Sequence, residues 1–258
     1  MPEDILTLPA PAADHHVAYA TDPNQFVDLR SPAIRPPEAG FPLVINIHGG
    51  FWRAQYDLAH AGHLCAALTN LGLVTANLEY RRVGNEGGGW PGTFGDLCAA
   101  YEFLIEHAEE YHIDAKRIVI MGHSAGGQLA LCLAAQKSHV RGVVSLAGVV
   151  NLQWAYELHL SHDAVVEFLG GAPSEVPERY READPMRLSL KKVEQMLLHG
   201  SIDEEIPVAF SRDYVVHKNE KKENVQLIEI PGTDHYDLID PRAEAWKVIE
   251  KSTLQLLS

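Results

Sequence analysis

A chain of 258 residues, 46% of them hydrophobic, can bury one substantial core and fits a single α/β domain spanning 1–258 better than two unrelated ones. The formal net charge of −14 argues against nucleic acid as a partner, because phosphate binding needs a basic face. The leading Met-Pro-Glu-Asp lacks the basic flank and apolar stretch of a signal peptide, and no apolar run approaches the ~18 residues that span a bilayer. The expectation is a cytoplasmic protein with no membrane partner. Cys65, Cys98 and Cys132 are an odd number, each within an Ala- and Leu-rich helical pattern, and read as small buried hydrophobes in a reducing compartment. They form no Cys-x-x-Cys or Cys/His cluster, so no metal role is expected.

In chain order, residues 16–19 and 25–30 carry β-type patterns separated by the turn chemistry of Thr21-Asp-Pro-Asn24. A proline-rich loop over 31–41 follows. Strand and helix patterns then alternate: strand 41–47, helix 58–70, strand 73–78, helix 94–111, strand 117–121, helix 125–136, strand 140–146. The helix at 94 opens on Thr93-Phe-Gly-Asp96, the spacing of a capping box. Residues 151–190 break the rhythm with several prolines and one short helix at 163–169, and read as a small lid insertion. The alternation resumes with strand 195–199, helix 208–218, strand 225–230 and helix 243–257. Such alternation implies a mostly parallel central sheet with helices on both faces, ligands bound at the strand C-terminal ends, and the two N-terminal strands as an antiparallel edge.

The most informative stretch is Gly122-His-Ser-Ala-Gly126, a G-x-S-x-G frame between the strand ending at Met121 and the helix beginning at Ala125. Strand, sharp turn and helix are the setting in which this pattern exposes a serine hydroxyl above a sheet edge. A serine nucleophile needs an acid, a base and an oxyanion hole, each expected at a strand C-terminal end. Asp203 follows the strand at 195–199 and is the expected acid, with Glu204 and Glu205 as rivals. His235, in Pro231-Gly-Thr-Asp-His-Tyr236 after the strand at 225–230, is the expected base, since imidazole titrates near working pH. His48-Gly-Gly-Phe-Trp52 follows the strand at 41–47, and the amides of Gly50, Phe51 and Ala125 are the expected oxyanion donors. Phe51, Trp52, Trp154 and Tyr236 lie near the expected site and suggest an apolar acyl or aryl pocket, in which Trp154→Ala should shift acyl preference. The glycine run Gly87-Gly-Gly89 lacks the Lys-Ser/Thr of a phosphate-binding loop.

With these residues in view, the chain resembles an α/β-hydrolase of the esterase/lipase branch that includes hormone-sensitive-lipase-like esterases and kynurenine formamidases (arylformamidases). The resemblance rests on His48-Gly-Gly-Phe-Trp52, Glu79-Tyr-Arg81, Trp90-Pro91 with Asp96, Gly122-His-Ser-Ala-Gly126, Gly200-x-x-Asp203 and His235, and runs from about residue 16 to the C-terminus. A bulky residue then Trp after His-Gly-Gly is similar to the formamidase version, whereas Tyr80-Arg-Arg-Val-Gly84 departs from the Tyr-Arg-Leu-Ala-Pro of both groups. The resemblance implies that Glu79, Arg81 and Asp96 are structural, holding the loop at 83–92.

The expected activity is hydrolysis of a carboxylic ester or aryl formamide, a small-molecule substrate, through an acyl-enzyme on Ser124, chemistry that needs no metal or organic cofactor. A peptidase or acyltransferase on the same fold, and a non-catalytic ligand-binding homologue, are the alternatives. A peptidase similar to the prolyl oligopeptidases would carry an added gating domain, for which 258 residues leave no room. The oligomeric state stays open at this level, a homodimer included.

Overall fold

The computed structural model of the protein describes residues 4–258. Eight strands form one sheet in the order β1-β2-β4-β3-β5-β6-β7-β8. β1 (His15–Ala18) and β2 (Phe26–Arg30) pair antiparallel, and β2 runs antiparallel to β4 (Val74–Leu78). From β4 onward every pairing is parallel, through β3 (Phe41–Ile47), β5 (Ile113–His123), β6 (Val140–Leu146), β7 (Glu194–Gly200) and β8 (Val225–Ile230). The expected antiparallel edge and parallel body are therefore what the chain forms.

Side chains of successive strand residues point to opposite faces, and the buried residues sort accordingly. Leu43, Ile45, Ile118, Ile120, Val143 and Leu197 enter one core layer, while Val44, Val119, Met121, Val144, Met196 and Leu198 enter the other. The first layer is closed by α2 (Gly92–Glu106), α3 (Ala125–Gln136) and the insertion, and the second by α1 (Gly62–Asn70) and α8 (Trp246–Leu257). α3 is buried on all sides from Ala125 to Ala134, which is why its sequence is apolar all round rather than amphipathic. α7 (Ala209–Glu220) covers β8.

Three expectations are corrected in detail. The helix predicted over 94–111 is α2, which starts two residues earlier and stops at Glu106. Its C-cap His107 bonds the Phe103 carbonyl, and the chain then turns so that Ile113 can pair with Phe41 in the sheet. The Thr93–Asp96 capping box does not form, because Asp96 is taken by Arg81 and Gln25 and the Thr93 hydroxyl donates to the Arg81 carbonyl. The helix predicted over 58–70 opens with a 3-10 turn, Leu58–Ala61, whose first amide donates to the Glu79 carboxylate and whose second is capped by Asp57.

The insertion over 151–190 contains α4 (Leu152–Glu157), α5 (Ala164–Leu169) and α6 (Pro177–Ala183). Its Ala155, Val165, Phe168, Leu169 and Tyr180 are buried in the same core layer as α3. No described helix is long and apolar enough to cross a membrane.

Candidate active site

Ser124 stands at the tip of the β5–α3 turn with φ 57° and ψ −122°, a left-handed conformation that a non-glycine residue holds only under constraint. Its amide donates to the Leu146 carbonyl on β6 and its carbonyl accepts from the Gly127 amide, so the strained turn is fixed on both sides. The turn also presses against the neighbouring loop. A Cβ on Gly126 would lie 2.0 Å from the Ile47 carbonyl oxygen, which is the physical reason for glycine in the motif there. The N-terminal amides of α3 have no carbonyl of their own helix to bond, so the Ala125 amide beside the serine is available to an oxygen.

Asp203 and His235 arrive from β7 and β8. Asp203 Oδ2 lies 2.7 Å from His235 Nδ1, and both side chains are buried. Asp203 Oδ1 accepts from the Glu205 and Ile206 amides at 2.9 and 2.8 Å. Burial alone would raise the Asp203 carboxyl, but hydrogen bonds from His199 and His235 outweigh it and hold the group well below the usual carboxylate range. The rivals Glu204 and Glu205 are exposed residues of the same turn, and the His235 contact is made by Asp203.

Two histidines that the sequence offered no reason to choose brace this pair. His199, the penultimate residue of β7, accepts from or donates to the Ser211 hydroxyl at 2.8 Å and donates to the Ile206 carbonyl at 2.8 Å. It thereby clamps the turn that presents Asp203. His123, immediately before the serine, donates from Nε2 to the His235 carbonyl at 2.9 Å, with ring centroids 4.4 Å apart. Burial first, then the neighbouring His235 and His60, push His123 well below the ordinary histidine range, so it remains a neutral spacer. Their only sequence signal was position, one residue from a strand end or from Ser124.

The candidate oxyanion loop is equally constrained. Gly50 has φ 107° and a Cβ there would fall 2.5 Å from the Tyr56 side chain, while Phe51 and Trp52 continue left-handed at φ 48° and 59°. The Arg53 amide donates to the Gly50 carbonyl and closes the turn. Beneath it, His48 Nε2 lies 3.1 Å from Glu79 Oε1, and its ring stacks on Tyr80, whose hydroxyl donates to the His48 carbonyl at 2.7 Å. Glu79 also accepts from the Tyr80 and Leu58 amides and pairs with Arg82 at 3.0 Å. Arg81 grips Asp96 through its backbone amide and two guanidinium nitrogens at 2.6–2.9 Å. Glu79, Arg81 and Asp96 thus sit as braces behind the loop, away from the serine.

Ser124, His235, Gly50, Phe51 and Tyr236 line one cavity of about 160 Å³, together with Tyr56, His60, His123, Ser161, Glu205 and, from the N-terminal segment, Leu6 and Ile239 of the chain's far end. Burial, then His48, lowers His60 to about 4, and burial with nearby carboxylates led by Glu205 pushes Tyr236 up to about 12. At neutral pH the lining beside the serine is therefore polar but carries few charges. Two pocket residues expected from the sequence are elsewhere. Trp52 is fully buried, stacked on Phe168 at 4.6 Å with its indole N–H donated to Gln128. Trp154 stacks on Phe210 at 4.5 Å and faces a separate surface groove with Asn151, Gln153, Glu157 and Asp213. Both rings found aromatic partners from elements distant in sequence, and this drew them out of the cavity.

An eight-stranded, mostly parallel sheet with a strained serine on the turn after its central strand defines the α/β-hydrolase fold. A family model described as BD-FAE matches residues 27–217, and the chain belongs to that family. Similarity extends to esterase LipC of Mycobacterium tuberculosis, 24% identical over 87% of this chain and 60% of that protein. The probable isoprenylcysteine alpha-carbonyl methylesterase ICME of Oryza sativa subsp. japonica is 25% identical over 86% of this chain and 58% of its own length. The chain thus spans no more than about 60% of these curated relatives. Among solved structures, a truncated carbohydrate esterase from gut microbiota matches with a TM-score of 0.80 at 21% identity, covering 98% of each chain. Esterase B from Lactobacillus rhamnosis matches with a TM-score of 0.81 at 19% identity over 96% of this chain and 88% of its own. At those identities the structural likeness speaks for the fold.

Proposed function

We propose that this protein is a serine carboxylic ester hydrolase acting on esters of short acyl groups. The observation that carries the reading is the 2.7 Å Asp203–His235 contact opening onto the same cavity as the strained Ser124. His235 accepts the Ser124 proton as Oγ attacks the ester carbonyl, and the carbonyl π electrons move onto oxygen. The amides of Gly50, Phe51 and Ala125 receive that oxyanion, each such donor being worth ~3 kcal/mol of barrier. The tetrahedral species collapses with loss of the alkoxide, which takes the proton from His235, and leaves an acyl group on Ser124. Water, deprotonated by His235, then releases the carboxylate and restores the serine. Asp203 holds the ring orientation throughout and offsets the charge that His235 gains.

Acyl size follows from the cavity. About 160 Å³ is the scale of an engineered site that holds one benzene ring, and it suits an acetyl to butyryl group rather than a long chain. A formyl group is smaller still, so an aryl formamide remains within reach of the same site, and N-formylkynurenine belongs beside the esters in any substrate panel. The esterase names of LipC and ICME support ester hydrolysis, while a relative named as an uncharacterized peptidase, 22% identical over 85% of this chain, keeps the peptidase reading as the alternative. The test is Ser124→Ala: it should abolish p-nitrophenyl acetate hydrolysis while leaving the thermal unfolding curve in place. Activity surviving in the folded variant would refute the proposal.

A further inference from the structure

Arg53 closes the turn that carries the candidate oxyanion amides, and its side chain reaches a segment more than a hundred residues away. Its Nε donates to Glu167 Oε2 at 2.8 Å, Nη1 to the Ser161 hydroxyl at 3.0 Å and Nη2 to the Ser161 carbonyl at 2.8 Å. The segment it holds is the most contorted in the protein. His159, Ser161, His162 and Asp163 all have φ between 48° and 62°, none of them glycine. Clusters of left-handed non-glycine residues persist where surrounding contacts over-determine them, and they concentrate at ligand sites. Here the result is that Ser161, from an insertion that also sends Phe168 and Leu169 into the core, enters the cavity beside Ser124.

The direction of the Ser161 proton follows from the chemistry of its partner. A guanidinium has five donors and no acceptor, so Ser161 Oγ accepts from Arg53 and its own O–H must point elsewhere. Among the described residues that O–H meets no protein acceptor, and the cavity lies beside it. A hydroxyl whose lone pair is engaged by a cation is also a stronger donor than a free one. We infer that Ser161 donates a hydrogen bond to an acceptor oxygen of the substrate close to the scissile ester, with Arg53 as its positioning residue. The inference rests on the hydrolase reading above and adds a substrate class: esters bearing a hydroxyl or ether oxygen near the cleaved bond, favoured over their hydrocarbon counterparts.

Two isosteric ester pairs test this. 2-Methoxyethyl acetate against butyl acetate places the extra oxygen on the alcohol side, and methyl methoxyacetate against methyl butyrate places it on the acyl side. The wild type should show a higher kcat/KM for the oxygen-bearing ester of one pair, and that pair identifies the side. Ser161→Ala should lower that preference about five- to tenfold, chiefly through KM, as expected for one hydrogen bond. Ser161→Gly removes the same hydroxyl while suiting the left-handed backbone, so it guards against a folding defect in the alanine variant. Arg53→Lys keeps the charge but not the fork, and should lower the preference by a smaller factor. A preference unchanged in both Ser161 variants, with rates falling equally on all four esters, would overturn the inference and leave the hydrolase reading standing. A wild type that cleaves none of the four would overturn both.

Discussion

The two walls of the candidate catalytic cavity are built by different means. One wall is the C-terminal rim of the sheet, where Gly50, Ser124, Asp203 and His235 each sit within a few residues of a strand end. The other wall is assembled from afar. Leu6 comes from the N-terminal segment, Tyr56 and His60 from the approach to α1, and Ser161 from the insertion. On the proposed function, the first wall sets the chemistry and the second sets what is admitted. Substitutions on the rim should therefore change rates by orders of magnitude, and those on the assembled wall should change ratios between substrates.

The largest effect expected on the rim, short of removing the serine, is at Asp203. Asp203→Asn should lower kcat on p-nitrophenyl acetate about 10⁴-fold, because the amide no longer holds the His235 tautomer. The same variant has a pH signature. The folded carboxyl titrates below its unfolded value, so its stabilising contribution is complete above about pH 4, the ordinary carboxylate range, and is lost as pH falls through the lower folded value. Urea midpoints of wild type and variant should therefore differ most at neutral pH and converge in acid. A gap that stays constant down to low pH would contradict this account of the carboxylate.

Gly50→Ala comes next, with an expected loss of about 10²–10³ in kcat. The new methyl would meet Tyr56 at 2.5 Å and the φ of 107° would be strained, so the loop must shift and misplace an oxyanion donor. A loss confined to KM would place this loop outside transition-state stabilisation. On the assembled wall the effects shrink. Across p-nitrophenyl acetate, butyrate and octanoate, kcat/KM should fall at least about tenfold from butyrate to octanoate, since the cavity holds only a few carbons. A rise with chain length would mean that the wall opens. The smallest effect is expected at Trp154, outside the cavity. Trp154→Ala should cost about 2 kcal/mol of stability by urea denaturation, through loss of the Phe210 stack, and leave the acetate-to-butyrate ratio within about twofold. A larger change in that ratio would return Trp154 to the substrate pocket.

The same division governs what the sequence could reveal. The G-x-S-x-G turn, the His-Gly-Gly loop and the two loops carrying Asp203 and His235 were legible because strand, turn and helix are written in neighbouring residues. The strands themselves were legible because period-2 and fully apolar runs leave little ambiguity in a sheet covered on both faces. What failed depended on partners far away in the chain. Thr93 and Asp96 have capping-box spacing, yet Arg81 and Gln25 claimed the carboxylate. Trp52 and Trp154 have the composition of a pocket, yet Phe168 and Phe210 stacked on them. Ser161, Tyr56 and His60 carry no pattern at all, and their place in the cavity exists only once the insertion and the α1 approach have packed.

The claim on which everything else depends is that Ser124 carries the acyl group. Rapid quenching of a p-nitrophenyl acetate reaction in acid, followed by proteolysis and peptide mass spectrometry, tests it directly. The account predicts one acetyl group on the peptide containing Ser124, lost in Ser124→Ala and strongly reduced in His235→Gln, whose acylation lacks its base. An active enzyme whose Ser124 peptide stays unmodified, or whose acetyl sits on another residue, would contradict it.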